Sequence, residues 1–366
     1  MRVHFLASTL ALGGAETMAV ALSRELAGRG HEVAWSLLRN PGELGERMSE
    51  SLAAAHGLAP GKFPLAGIRR LRSRLRGCDA LYVLDHQNAV VLGGLAARWE
   101  TVPRRAVAVH TTGLWGDRPS LGRAFRGALR FYDRVLALSD AHARYLTRRE
   151  GVPAEKVAVV PNGIDPAPYR DLPSREGARA RLHLPSDALV VGTVAMLRPE
   201  KNHAMLARAV AALAGDFENL HAVWVGDGPE RAALAALVES LGIRDRVHFE
   251  GRRDDVPALL STFDVFALPS HASVETQPVS VIEAMTAGVP VAATRVGDLE
   301  SLLGDGSCGV LCPPGDLGGF TEALRGLLAD AGLRARLARA GRRRAAEFTL
   351  EAAGNALERA LSGEDR

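Results

Sequence analysis

The sequence predicts an α/β protein made of two doubly wound parallel-sheet domains in tandem. A chain of 366 residues is too long for a single domain of the usual size, since a domain takes roughly 100–200 residues. Short apolar runs alternate with longer amphipathic segments, which is typical of parallel strands joined by right-handed crossover helices. This alternation stops in a Pro-, Arg- and Asp-rich stretch that ends near Ser186, and then restarts. With 47% hydrophobic and 24% charged residues, the composition excludes disordered and collagen-like chains.

Six strands are predicted in the first half of the chain. Each is a short apolar run, at 3–6, 33–38, 80–84, 106–109, 135–138 and 157–160. We expect the first run to be a strand and not part of a signal peptide, because His4, Ser8 and Thr9 interrupt it and no cleavage-like site follows. Helical periodicity predicts helices over 15–28, 68–76, 120–132 and 140–150.

The second half repeats the pattern. Strands are predicted at 189–197, 222–225, 246–249, 265–268, 289–293 and 310–311. Helices are predicted near 202–214, 229–241, 255–262, 278–287 and 317–329, and residues 331–362 predict two closing helices with a break near Phe348 and Thr349. The predicted domains are therefore 1–168 and 187–347, with a connector at 169–186, a cleft between the domains, and a closing helix at 348–366 that joins the first domain.

Charge is distributed unevenly along the chain. Residues 1–168 carry a net charge of +8 and residues 169–366 a net charge of −5. Five arginines lie on one predicted helix: Arg69, Arg70, Arg72, Arg74 and Arg76. The apolar stripe of Ile68, Leu71 and Leu75 predicts a helix that packs on the sheet and leaves a solvated arginine face. The alternative is peripheral docking on an anionic membrane.

Cysteine content and hydropathy indicate the compartment. Three cysteines, Cys78, Cys308 and Cys312, are too few for a disulfide framework and favour a reducing cytoplasm. No run approaches the roughly 18–20 apolar residues that span a bilayer. We therefore expect a cytoplasmic protein whose membrane contact, at the inner face of the cell membrane, would be peripheral.

Two glycines follow the first predicted strand. Open parallel sheets bind ligands beyond the carboxyl ends of their strands. Gly13 and Gly14 open the next helix, where a close backbone approach and free amides favour an anion. The spacing is not G-x-G-x-x-G, so the pair is no dinucleotide fingerprint, and an ordinary flexible turn is an equal alternative.

Lys201 lies where a predicted strand runs into a helix. The chain has only three lysines, Lys62, Lys156 and Lys201, beside 42 arginines. An ammonium kept at this position in an arginine-dominated chain suits a phosphate contact. The alternative is a solvated lysine at a helix end.

Glu275 and Glu283 form the most specific pattern. Glu275 falls in the loop after the strand 265–268, Pro278 suits the first helical position, and Glu283 falls in the second turn of the helix among apolar neighbours. Carboxylates accept hydrogen bonds from sugar or ribose hydroxyls, and helix N-terminal amides bind phosphate. The pattern outlines a nucleotide-sugar site. A capping carboxylate plus a satisfied buried glutamate is the alternative.

Six motifs occur in one order along the chain. They are Gly13-Gly14-Ala15-Glu16, Pro161-Asn162-Gly163-Ile164-Asp165, Glu200-Lys201-Asn202, Gly226-Asp227-Gly228-Pro229, Leu268-Pro269-Ser270, and the Glu275 to Glu283 element with the Ala284-Met285 that follows it. Over nearly the whole chain they resemble the retaining glycosyltransferases of family 4, group 1 type. The resemblance implies the GT-B fold, with two Rossmann-like domains, the first for the acceptor and the second for a UDP- or GDP-sugar donor. It also implies transfer with retention, without a bound metal or other cofactor, in cell-surface glycan or glycolipid synthesis.

The resemblance implies roles for individual residues. Glu283 would bind the donor ribose, and Glu275 and His110 would be catalytic groups at the transferred sugar, although a structural histidine at the strand end is an alternative for His110. Lys201 would neutralise the diphosphate, and Gly13 and Gly14 would close over it. Residues 276–279 would hold the diphosphate through backbone amides, and the nucleobase would pack on a loop from 252 to 256. These segments contain Thr276, Gln277, Pro278, Val279, Arg252 and Val256.

One position departs from the family pattern. Met196 stands where relatives usually carry an arginine, so either Arg198 reaches the diphosphate or Lys201 acts alone. His86, after the strand 80–84, is a candidate for the acceptor pocket, with a structural role as an equal alternative.

The expected partners are a nucleotide-sugar donor and a glycan or lipid-linked acceptor, not nucleic acid. Three alternatives remain at this point: a noncatalytic nucleotide-sugar-binding subunit, a GT-B-like nucleotide-sugar epimerase, and a phosphorylase. A dinucleotide-dependent oxidoreductase is disfavoured because the glycine fingerprint is missing.

Overall fold

The computed structural model describes residues 1–11, 13–48, 54–55, 57–58, 65–110, 121–272 and 275–363. These residues form two compact units. The first unit contains Met1–Gly163 and Leu350–Arg366, and the second contains Ile164–Thr349.

A parallel sheet forms the centre of the first unit. Its described strands are β1 (Arg2–Ala7), β2 (Glu32–Leu37), β3 (Ala54–Ala55), β4 (Ala80–Leu84), β5 (Arg104–Ala108), β6 (Arg134–Ala137) and β7 (Val157–Val159). They are ordered β3-β2-β1-β4-β5-β6-β7, and every pair is parallel. The helices between them are α1 (Gly14–Gly28), α2 (Gly42–Met48), α3 (Leu65–Leu75), α4 (Gln87–Trp99), α5 (Arg123–Ala128) and α6 (Asp140–Arg148).

The second unit repeats this architecture. Its strands are β8 (Leu189–Val194), β9 (Leu220–Val225), β10 (Val247–Gly251), β11 (Val265–Leu268), β12 (Val291–Thr294) and β13 (Gly309–Cys312). They are parallel and ordered β10-β9-β8-β11-β12-β13. The helices are α7 (Arg175–Arg181), α8 (His203–Leu213), α9 (Arg231–Ser240), α10 (Val256–Leu260), α11 (Val279–Ala287), α12 (Leu299–Leu302), α13 (Leu317–Ala329) and α14 (Ala331–Ala345).

The last helix, α15 (Leu350–Ser362), returns to the first unit. Its buried residues Ala353 and Leu357 pack with Phe5 and Trp35 on one face of the first sheet. The predicted break near Phe348 and Thr349 therefore separates α14 from α15 and also marks where the chain passes between units.

Successive residues of a buried strand point to opposite faces, so each sheet has two apolar layers. In the first unit, Phe5 lies in one layer and Leu6 in the other. In the second unit, Val223 packs in the layer that contains α11, and Trp224 packs in the layer that contains α8 and α13.

The predicted boundaries differ from these units at several points. The stretch predicted as a connector, 169–186, belongs to the second unit and contains α7. Arg179 of α7 is only 5% exposed and donates to Asp264 at 2.6 Å, so a segment with polar, connector-like composition is buried through a charge pair. Helices α2, α4 and α12 were not predicted. The predicted helix 120–132 is α5 followed by a 3-10 turn, and residue 120 lies outside the described residues.

Two further sequence predictions concern the cysteines and the absence of a membrane-spanning segment. The three cysteines are free thiols. Within the described ranges, no helix combines the length and apolar character needed to cross a membrane.

Candidate functional site

The strand order of the second sheet reverses between β8 and β11, which lie side by side. In open parallel sheets, this reversal opens a crevice beyond the carboxyl ends of the two strands, because their connections leave to opposite faces. The loop after β8 carries Arg198 and Lys201, and the loop after β11 carries Ser270 and Glu275. The candidate residues of the second half therefore meet where a ligand site is expected.

Lys201 and Glu275 are in direct contact. Nζ of Lys201 donates to Oε1 of Glu275 at 2.5 Å, and Oγ of Ser270 donates to the same oxygen at 2.7 Å. Glu275 is 5% exposed, whereas the side chain of Lys201 is 21% exposed. The carboxylate is therefore fixed from two sides, and the ammonium keeps an accessible face toward which a phosphate can bind.

Backbone contacts hold the Glu275 loop in place. Gly297, after β12, has φ of +57°, and a Cβ built on it would lie 1.9 Å from the carbonyl oxygen of Glu275. The next amide, of Asp298, donates to the carbonyl of Thr276 at 2.9 Å. A hydroxyl of β12, Oγ1 of Thr294, donates to the carbonyl of Ser270 at 2.6 Å. Glycine is required at 297 by both conformation and close approach.

The loop after β8 is held in a similar way. Gly226 has φ of +135°, and its hypothetical Cβ would lie 2.0 Å from the carbonyl oxygen of Ala195. At Gly228 the corresponding distance to the carbonyl of Leu197 is 2.4 Å. The Gly226-Asp227-Gly228-Pro229 motif thus lets the loop after β9 pack against the loop that presents Lys201.

Glu283 lies one turn into α11 and is bonded to a residue outside its helix. The hydroxyl of Tyr169 donates to Oε1 of Glu283 at 3.0 Å. Burial raises the pKa of Glu283 to about 7, and the Tyr169 hydrogen bond opposes part of that rise. The glutamate therefore changes charge near neutral pH.

The remaining second-unit predictions are spread around this loop. Thr276, Gln277 and Pro278 are buried in the turn that precedes α11. Pro278 is the N-cap and Val279 the first helical residue, so the prediction of Pro278 at the first helical position was wrong by one residue: its ψ of 118° is extended.

Arg198 and the predicted nucleobase loop are more exposed. The side chain of Arg198 is 49% exposed and lies 4.0 Å from Glu200. Val256 begins α10, which packs against α11, while Arg252 is exposed in the loop before it.

The first unit has its own cluster where its strand order reverses, between β1 and β4. The amide of Ser8 donates to Nδ1 of His86 at 3.2 Å, so the ring proton lies on Nε2, which faces Oε1 of Glu16 at 3.5 Å. His86 is the N-cap of α4, and Gly13 and Gly14 form the N-cap and first residue of α1. The chain that follows β1 thus meets an imidazole and a carboxylate at the expected crevice.

His110 follows β5 in the same cluster. Its backbone amide donates to Oδ2 of Asp85 at 2.8 Å. Burial lowers the pKa of the His110 ring, although the charges of Asp85 and Glu16 oppose this. A neutral imidazole is therefore favoured at physiological pH.

Sequence reasoning missed several residues of these clusters. Ser270 and Glu16 occur in the motifs, but nothing in the sequence shows that their side chains reach Glu275 and His86. Tyr169 gave no signal, because it lies in the stretch predicted as a connector. Gly297 could have been suspected as a glycine directly after a strand.

Comparison with known proteins matches a family model to each half of the chain. The family model described as Glycosyl transferases group 1 matches residues 174–344, and the model described as Glycosyltransferase Family 4 matches residues 12–168. A D-inositol 3-phosphate glycosyltransferase of Kineococcus radiotolerans is 30% identical over 383 aligned residues, which cover 92% of this chain and 87% of that protein. The chain belongs to the group 1 glycosyltransferases of family 4.

Two further relatives extend the comparison. The 2-deoxystreptamine glucosyltransferase of Streptomyces kanamyceticus is 34% identical over 256 residues, which is 66% of this chain and 65% of that protein's length. Among solved structures, Anabaena Alr3699/HepE in complex with UDP-glucose superposes with a TM-score of 0.85 at 24% identity and covers 99% of this chain and 100% of that chain. The fold of this glycosyltransferase is therefore GT-B.

Proposed function

We propose that this glycosyltransferase moves a sugar, with retention and without a bound metal, from a UDP- or GDP-sugar to an acceptor hydroxyl in cell-surface glycan or glycolipid synthesis. The observation that carries the proposal is the Lys201–Glu275 contact of 2.5 Å beside the α11 N-terminus, at the strand reversal of the second sheet. An ammonium and helix amides suit a diphosphate, and ionised carboxylates suit sugar hydroxyls. The UDP-glucose bound to Anabaena Alr3699/HepE also supports a nucleotide-sugar donor.

In this proposal the positive groups stabilise the leaving diphosphate. Lys201 and the α11 amides offset the charge that develops as the sugar departs, and Glu275 orients the sugar next to its anomeric carbon. The bond from the anomeric carbon to the diphosphate oxygen breaks, and the acceptor oxygen forms a bond on the same face. A leaving-group phosphate oxygen takes the acceptor proton, so no protein general base is assigned.

For the acceptor we propose the first-unit cluster of Glu16 and His86. A partly exposed pair of an imidazole and a carboxylate offers a donor and an acceptor to a hydroxyl. His86 keeps a 29% exposed side chain beside Glu16, which supports this placement. The chemistry fits a polyol, glycan or lipid-linked sugar.

We also propose peripheral contact with an anionic membrane through α3 and α4, on the cytoplasmic side. Leu71 and Leu75 are fully buried, so α3 cannot insert its apolar stripe. Its Arg72 lies over the ring of Trp99 at 4.4 Å, and Trp99 is 66% exposed. An exposed tryptophan among arginines suits the headgroup layer of a bilayer.

The test begins with thermal shifts of the purified chain in UDP- and GDP-sugars. A donor that binds only the native state raises the melting temperature, and donor hydrolysis is then compared with Glu275→Gln. We expect one donor to stabilise the protein and Glu275→Gln to abolish turnover. A chain that binds a donor without any turnover would be a binding subunit, and one that binds no nucleotide sugar would contradict the proposal.

Membrane contact is tested with vesicles that contain phosphatidylglycerol. We expect binding that weakens with salt and that is reduced in Trp99→Ala. Absent binding, or binding insensitive to salt, would contradict this part of the proposal.

A further inference from the structure

Tyr169 lies in a hydrogen-bonded turn close to the start of the second unit. The Tyr169 amide donates to the carbonyl of Pro166 at 3.1 Å in a 3-10 turn. The segment before it is fixed by Ile164, whose amide donates to the carbonyl of Phe348 at 3.0 Å and which forms a parallel bridge with Thr349. The Tyr169 ring packs on the apolar layer that contains α11. The hydroxyl is thus presented to Glu283 from a fixed backbone.

The direction of the hydrogen bond is settled by the chemistry of the tyrosine. Burial, the charge of Glu283 and the charge of Asp165 all raise the pKa of Tyr169. The phenol therefore keeps its proton and donates to Oε1 of Glu283. A donated hydrogen bond favours the ionised form of a carboxylate and fixes its orientation.

Few other charged groups among the described residues lie on the elements packed against the Glu283 helix. The helix α10 and the strand β12, which pack on α11, carry no titratable side chain. From α14, Arg342 reaches α11, where its Nη2 donates to the carbonyl of Ala287 at 2.9 Å. Among the described residues, burial and the Tyr169 hydroxyl are what determine the pKa of Glu283.

We propose that Tyr169 is a positioning residue for donor binding, whose hydroxyl favours the ionised form of Glu283 and aims its carboxylate at the ribose hydroxyls of the nucleotide sugar. This inference rests on the proposed function, in which Glu283 binds the donor ribose. Ribose hydroxyls donate to the ionised carboxylate, so donor binding and proton binding compete at Glu283. Tyr169 thereby adjusts the pH range over which the donor binds.

The experiment measures binding of UDP-glucose, with GDP-mannose in parallel, by calorimetry between pH 5.5 and pH 9. Both probes carry a diphosphate diester that does not titrate in this range, and their bases begin to lose a proton only near pH 9, which affects the native chain and the variants alike. For the native chain we expect affinity to fall as the pH drops below about 7, where Glu283 takes up a proton. Tyr169→Phe should lower the affinity at pH 7 at least threefold, shift the midpoint to higher pH, and recover toward the native value at pH 9. Glu283→Gln should bind weakly with no pH dependence.

Tyr145→Phe is the matched control. Tyr145 also donates to a buried glutamate, Glu150, at 3.1 Å, but it lies in the first unit on α6. This variant should follow the native curve. A Tyr169→Phe curve that matches the native one, or that is lowered equally at every pH, would overturn the inference. A native chain that binds neither probe at any pH would instead overturn the proposed function.

Discussion

Nζ of Lys201 donates to Oε1 of Glu275 at 2.5 Å and joins the loops that follow two neighbouring strands, β8 and β11. A second bridge runs beside it, where the amide of His271 donates to the carbonyl of Glu200 at 2.9 Å. The two groups that the sequence places 74 residues apart are therefore one structural unit. A substitution in either loop is expected to affect the other.

Replacing Lys201 tests the positive side of this unit. Lys201→Met keeps the length of the side chain and removes its charge, so donor affinity should fall at least about tenfold, which corresponds to about 1.4 kcal/mol. Calorimetry with the donor found by thermal shift measures this. Lys156→Met is the control, because among the described residues Lys156 donates to backbone carbonyls of the first unit, at Leu129 and Tyr132. If both variants bound the donor with equal affinity, Lys201 would not belong to the donor site.

Arg198 is the candidate to supply the positive charge that is missing at Met196. The side chain is half exposed, and its ion pair with Glu200 is a long one of 4.0 Å, so the guanidinium can turn toward a diphosphate. If it does, Arg198→Ala should weaken donor binding more than about tenfold. Arg208→Ala, an exposed arginine on α8, removes the same charge elsewhere and should have little effect. An unchanged dissociation constant in Arg198→Ala would mean that Lys201 acts without it.

Gly297→Ala tests the support of the Glu275 loop. The added Cβ would meet the carbonyl oxygen of Glu275 at 1.9 Å, so the loop must move and donor affinity should fall at least about tenfold. Gly315→Ala has the same kind of backbone strain, with φ of +79°, but its Cβ would meet nothing within 4 Å. We expect both variants to lose about 1 kcal/mol of stability through backbone strain, Gly297→Ala to lose more because of the clash, and only Gly297→Ala to lose donor binding. Matching affinities in the two variants would argue against this role for the loop.

Glu283→Gln should stabilise the protein in a pH-dependent way. The folded pKa of about 7 is raised above the ordinary value, so the fold favours the protonated form. At low pH both folded and unfolded chains hold the proton and there is no penalty, whereas above about pH 7 the buried charge costs about 1–3 kcal/mol. Urea unfolding of the native chain and Glu283→Gln should therefore diverge between pH 5 and pH 8.

The control for this prediction is Glu322→Gln on α13, where the carboxylate is 69% exposed. Its stability difference from the native chain should not change with pH in this window. A Glu283→Gln difference that is equally flat would contradict a raised pKa at Glu283. The gain in stability and the loss of ribose binding would be two results of the same buried carboxylate.

Much of the fold could be predicted from the sequence because buried parallel strands leave continuous apolar runs. The apolar run 265–268 coincides with β11 residue for residue, and the helical periodicity over 317–329 coincides with α13. The prediction was wrong where local pattern and packing disagree. The helix α4 is apolar on most sides and lacks a clear period, and α7 has polar composition although Arg179 is buried against Asp264.

The sequence by itself determined which chemical groups are present, and it placed Lys201, Glu275, His86 and His110 after strands and Glu283 in a helix. Only the tertiary structure decided their partners. The contacts of Lys201 with Glu275 and of Tyr169 with Glu283 span 74 and 114 residues, and strand order, not spacing along the chain, brings such loops together. The charge state of Glu283 was decided in the same way, since burial and one distant hydroxyl set its pKa.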